Sequence, residues 1–84
     1  MSGLKPNQIA ALKKLEAALL SCKRAGLVLA GSDDHLLATV EDNEFIEATL
    51  RASTCEAMRA RDNAGHPLCH AVKHYGCYRE SGGA

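Results

Sequence analysis

The stretch His66-Pro67-Leu68-Cys69-His70-Ala71-Val72-Lys73-His74-Tyr75-Gly76-Cys77 holds three of the four histidines and two of the four cysteines of the chain. Imidazole and thiolate together are the ligand chemistry of zinc rather than of calcium or magnesium. Read as a helix opened by Pro67 and running to about Tyr75, the segment is two-faced. Leu68, Ala71, Val72 and Tyr75 fall on one side, with His70, His74 and Cys77 within about 60° of one another on the other. His70 and His74, at i and i+4, are spaced to share one ion. Cys77 lies a turn beyond, and the local candidates for the fourth ligand of a structural zinc are Cys55, across the turn at Gly65, Cys69 and His66, with Cys55 taken as the expected one. No C-x-x-C pair accompanies them. The competing reading makes the histidines solvated surface residues and the cysteines small buried hydrophobes, so the expected cofactor is none, with zinc as the alternative.

Catalysis finds less support. Nucleophilic chemistry needs a thiolate or hydroxyl beside a base that a third group orients, and no such constellation is legible. The chain has no P-loop, no dinucleotide fingerprint, no H-E-x-x-H and no redox C-x-x-C, so the expectation is a protein that is not an enzyme.

Charge is the second source of chemistry. Ten Lys and Arg balance ten Asp and Glu, but the balance is uneven along the chain. Residues 1–26 carry Lys5, Lys13, Lys14, Lys23 and Arg24 against Glu16, a surplus of +4. Residues 27–56 carry Asp33, Asp34, Glu41, Asp42, Glu44, Glu47 and Glu56 against Arg51, a deficit of −6. Residues 57–84 return +2. Six acids, Asp33, Asp34, Glu41, Asp42, Glu44 and Glu47, are the candidate partner-binding residues, since one acidic patch would steer a basic protein surface towards it. That reading requires the loop carrying Asp33 and Asp34 to lie close to the start of the helix carrying Asp42 and Glu44. The zero total, and the lack of aromatics among the basic residues, argue against nucleic acid.

The elements that must position these groups follow from periodicity. Ile9, Leu12, Leu15, Leu19 and Cys22 recur at helical spacing from Pro6 to Arg24, with Pro6 suited to a first turn and Gly26 to a left-handed stop. Leu27-Val28-Leu29-Ala30 and His35-Leu36-Leu37-Ala38-Thr39-Val40, around Gly31-Ser32-Asp33-Asp34, predict a β-hairpin with a loop of about four residues. Both strand faces are apolar, so helices or a second chain must cover them. A second helix begins near Asp42. The capping-box pattern Ser53-Thr54-Cys55-Glu56 leaves open whether residues 43–61 form one helix or two. The expected fold is a small α+β domain, helix–hairpin–helix–helix, with the helices packed on a two-stranded antiparallel ribbon. One domain should span residues 1–84, with 1–5 and 80–84 flexible.

Composition bounds the rest. At 84 residues and 46% hydrophobic, with three aromatics, the chain builds a modest aliphatic core and is expected to need a metal, a disulfide or a partner subunit for support. No apolar run approaches the roughly 18 residues of a membrane span. Met1 to Pro6 lacks a secretory signal, so the expected location is cytoplasmic with reduced thiols.

Taken together, the sequence points to a non-catalytic protein-interaction module, a small inhibitor or adaptor that binds a basic-surfaced protein through the acidic patch. A homodimer through the hairpin edge or an apolar helix face is compatible with it. The alternatives are a zinc-stapled domain built on Cys55, His70, His74 and Cys77, and a small DNA-binding regulator.

Overall fold

The computed structural model describes residues 3–79. The flexibility expected of residues 80–84, and of the first two residues, lies outside this range. Helix α1 spans Pro6–Arg24. Pro6 occupies its first turn, where an N–H would have no partner, and the Gln8 side chain accepts the Lys5 N–H at 2.8 Å. Gly26, at φ +79°, turns the chain out of the helix. Strands β1 (Leu27–Ser32) and β2 (His35–Val40) then form an antiparallel hairpin, paired without interruption from Leu27↔Val40 to Ser32↔His35. The connection is tighter than expected. Gly31 and Ser32 remain in the strand, and Asp33 and Asp34 alone make the turn at φ 47° and 66°, the two positive angles that match strand twist.

Two helices follow, which settles the open question about residues 43–61. The Asp42 carboxylate accepts the Phe45 N–H at 2.9 Å and starts α2, Asn43–Arg51. The Ser53 hydroxyl accepts the Glu56 N–H at 3.1 Å and starts α3, Thr54–Asn63.

The third helix expected from Pro67 to Tyr75 does not form. Cys69–Val72 is instead a strand, β3, antiparallel to β2 with Leu36↔Val72 and Thr39↔Cys69 in register. The ribbon is therefore a three-stranded sheet in the order β1-β2-β3. Tertiary context overrides local pattern here. A turn closed by Cys69 N–H to His66 O at 3.0 Å delivers the chain to the open edge of β2. The Thr39 hydroxyl fastens it there, donating to Leu68 O at 2.8 Å. A helix at this position would leave the outward backbone groups of β2 without partners.

Alternation assigns the two faces. Val28, Ala30, Leu37, Thr39 and Cys69 face α2 and α3, and the core lies there, with Leu37, Phe45, Ala57 and Met58 buried. Leu27, Leu29, Gly31, Leu36, Ala38, His70 and Val72 face the other way, towards α1 and the C-terminal segment. Tyr78 reaches across this face to Gly31, where an added Cβ would overlap the phenol hydroxyl.

The core is unequally shared. Met58 is 0% exposed, whereas Leu12 in α1 is 47% exposed. Met58→Ala is therefore expected to lower the unfolding free energy by about 2–5 kcal/mol, while Leu12→Ala lowers it by less than about 1 kcal/mol. Urea unfolding of the two variants measures the contrast.

Candidate functional site

The expected acidic patch is divided by the hairpin. Asp33 and Asp34 sit at the turn beyond Ser32↔His35, whereas Glu41 and Asp42 follow the opposite end of the ladder, Leu27↔Val40. A six-residue strand places these ends about 17 Å apart. The expectation that the hairpin loop and the start of the second helix lie together is corrected on this point: a helix that follows β2 directly must start at the far end from the turn.

At that far end Asp42 and Glu44 are engaged within the chain. Arg61, on the inward face of α3 and 6% exposed, donates to the Asp42 carboxylate at 2.5 Å, to the Thr39 hydroxyl at 2.8 Å and to Val40 O at 3.3 Å. Its guanidinium also lies 5.2 Å from the centre of the Phe45 ring. Glu44 is 3.5 Å from Arg61 and 3.7 Å from His66. Glu41 and Glu47 are exposed. The Phe45 N–H first, and the Arg61 guanidinium second, hold the Asp42 carboxyl below its ordinary value. Arg61 is the residue that sequence reasoning passed over. Its signal was its place in the stripe Ala57, Met58, Arg61, whose spacing puts a cation on the inward side of a helix.

The candidate zinc residues do not share a stripe, because the helix that would align them is a strand. Cys55 is in α3 and its thiol donates to Gly31 O at 3.3 Å. His70 is in β3, opposite Ala38. His74 follows the strand. Its Nδ1 accepts the Gly76 N–H at 3.1 Å, which leaves the proton on Nε2 to be donated to Asp34 O at 2.8 Å. His74 thus ties the C-terminal segment to the hairpin turn, and its ring meets Tyr78 edge-on with centroids 5.7 Å apart. Cys77 is exposed. Among the described residues, no three His, Cys, Asp or Glu side chains converge in a metal-binding group. All four cysteines are free thiols, and burial, followed by the nearby Asp62 charge, pushes the Cys69 thiol up.

What the structure does assemble is apolar. Ile9, Leu12, Leu15, Leu19 and Leu20 of α1 are 38–53% exposed, and no residue of this 19-residue helix is buried. A helix of that length extends about 28 Å, against about 17 Å for a six-residue strand, so a strand is too short to cover its whole length. Beside it a groove of about 420 Å³ opens between Leu15 and the sheet residues Leu36 and Val72, walled by Tyr75, Cys77 and Tyr78. The radius of gyration, 14.7 Å, exceeds the about 12 Å of a spherical domain of this length.

No family model, no curated protein and no solved structure matches the chain. No helix among the described residues is long and apolar enough to cross a membrane.

Two measurements examine the Arg61 site. Arg61→Ala leaves the buried Thr39 oxygen without its donor and the Asp42 carboxylate without its cation and is expected to cost about 3 kcal/mol, with Arg61→Lys recovering only part, because an ammonium does not span three acceptors in different directions. Equilibrium urea unfolding reads both. The second is pH. A carboxyl held low in the folded state stabilises fully above its unfolded value, about 3.9, and loses that contribution as pH falls through the lower folded value. The stability difference between the native chain and Asp42→Asn is therefore expected to be constant above about pH 5 and to shrink on acidification below pH 4, as followed by unfolding midpoints.

Proposed function

We propose that this chain is a non-catalytic protein-interaction module whose binding element is α1 and the apolar groove beside it. One observation carries the reading: α1 displays five large aliphatic side chains and buries none. In a helix belonging to a monomer, an apolar stripe normally faces the core and is largely removed from water. Contiguous exposed apolar area of this kind marks an interaction surface. The cations Lys13, Lys14, Lys23 and Arg24 flank the stripe and keep the free helix soluble while rimming the patch. Binding therefore runs through an apolar centre with a basic border, in place of the acidic patch that the sequence suggested. The absence of a recognisable nucleophile–base pair in the sequence supports a binding role rather than a catalytic one.

Substituting Leu12 and Leu19 together by Gln tests this. Side chains that serve a partner are dispensable to the fold, so the double variant is expected to keep its circular dichroism and to melt within about 4 °C of the native chain, while losing most of its binding of a hydrophobic dye. A fall of more than about 10 °C in Tm would mean that the stripe is core, and the reading fails.

A further inference from the structure

We infer that β1 is an interface strand that pairs antiparallel with β1 of a second copy, joining two three-stranded sheets into one of six strands. The inference rests on the reading of the chain as an interaction module, and names the partner as the chain itself, but uses the strand edge rather than α1.

The first argument is the direction of the backbone. In a hairpin closed by a two-residue turn, the flanking residues Ser32 and His35 exchange both hydrogen bonds, and alternate residues back along the strand do the same. Ser32, Ala30 and Val28 therefore spend their backbone groups on β2, and the bond from Glu41 N–H to Gly26 O, 2.9 Å, continues the series. Leu27, Leu29 and Gly31 direct theirs outward. β1 is an edge strand; the Cys55 thiol donates to Gly31 O and the Tyr78 hydroxyl lies over Gly31, so the outward positions that the pairing uses first are Leu27 and Leu29. The Gly31 carbonyl retains a second lone pair.

The second argument is what the strand lacks. Edge strands are normally blunted by charge, proline, bulges or shortness. β3, the other edge, is four residues long, carries His70 and is followed directly by Lys73. β1 is six residues, Leu-Val-Leu-Ala-Gly-Ser, with no charge, no proline and no break in register. One edge is guarded and the other is left open.

Self-pairing fits the outward groups. A twofold axis through Leu29, perpendicular to the sheet, sets Leu29 opposite Leu29 of the second copy and Leu27 opposite its Gly31, so that each outward position meets an outward position and every pair exchanges two hydrogen bonds. The same axis keeps both α1 helices on one face of the joined sheet. The chain exposes 6563 Å², where a folded monomer of 8.9 kDa exposes about 4,800 Å²; α1 holds part of that surplus, which exceeds the about 800 Å² that a stable interface removes from each partner.

Amide hydrogen exchange on the full-length chain, with native mass measured over a dilution series, tests the inference without a mutation. The Leu27 and Leu29 amides point away from β2 and donate to no carbonyl among the described residues, so slow exchange at these two positions reports pairing between chains. The expected result is twice the 8.9 kDa chain mass, with these amides exchanging at least about tenfold more slowly at high concentration than after dilution. Leu29→Pro removes an outward donor and leaves the β1–β2 ladder intact, and is expected to be a folded monomer. If that variant does not fold, exchange on the native chain decides alone. A chain that is monomeric at every concentration overturns the inference. So does a dimer whose Leu29 amide exchanges freely, but that dimer leaves the interaction-module reading standing. Assembly beyond a dimer overturns the closed twofold arrangement.

Discussion

A single buried guanidinium holds the two halves of this fold together. Arg61 binds the end of β2 through Thr39 and Val40 and the cap of α2 through Asp42, while Thr39 passes its own proton on to Leu68 at the entry to β3. The directions are consistent: Arg61 donates to the Thr39 oxygen, which frees the Thr39 hydroxyl to donate onward. Thr39 is wholly buried, and a hydroxyl in that position needs both partners. The carboxylate is not wholly removed from water, since the Asp42 side chain is 32% exposed. The pair thus avoids much of the desolvation penalty that makes fully buried ion pairs poor stabilisers. Three elements that are distant in sequence meet at one planar cation, whose several donors in fixed directions suit it to acceptors arranged around a corner.

The constraint also explains why the two sheet faces differ. α2, α3 and β3 are locked to one another and to one face, and the enclosed core of Leu37, Phe45, Ala57 and Met58 is small but closed. Among the described residues the opposite face has no comparable buried ion pair. It is met by α1, which enters through Gly26 and buries no residue, and by the C-terminal segment, held by His74 on Asp34 and by Tyr78 over Gly31. Gly31 is the point at which strand and segment approach most closely. Its missing side chain is space that Tyr78 fills, so the residue that seemed to belong to a loop is a strand residue with a packing reason to be glycine.

Much of this was legible where local chemistry decides. Pro6 and Gly26 mark the limits of α1, Asp42 is read as the cap of α2, the capping-box pattern at Ser53 leaves the start of α3 open, and the hairpin is found from two apolar runs around a turn. Legibility ends where one segment depends on another. His66 to Cys77 carries both a plausible helical stripe and a strand alternation, and the choice belongs to the open edge of β2, which no local pattern reveals. The zinc set, drawn from the helical stripe, lost its geometric basis with it. The acidic patch failed for a topological reason: a helix that leaves the far end of a hairpin cannot lie beside its turn. Arg61 escaped because a charged residue in an inward stripe looks like an imperfection of the pattern until its acceptors, Thr39 and Asp42, are in place.

The entry of α1 through Gly26 has a bearing on how the molecule moves. Segments with few buried side chains open with small free energies, while those in the clamped core open only with the whole domain. With no residue of its own in the core, α1 belongs to the first class, and opens at less cost than the sheet, α2 and α3. A partner that took α1, as proposed, would have to supply the entropy of holding it still, so affinity on this face would be tuned by how firmly α1 is docked beforehand. The turn at Gly26 would then make recognition and local stability two readings of one equilibrium.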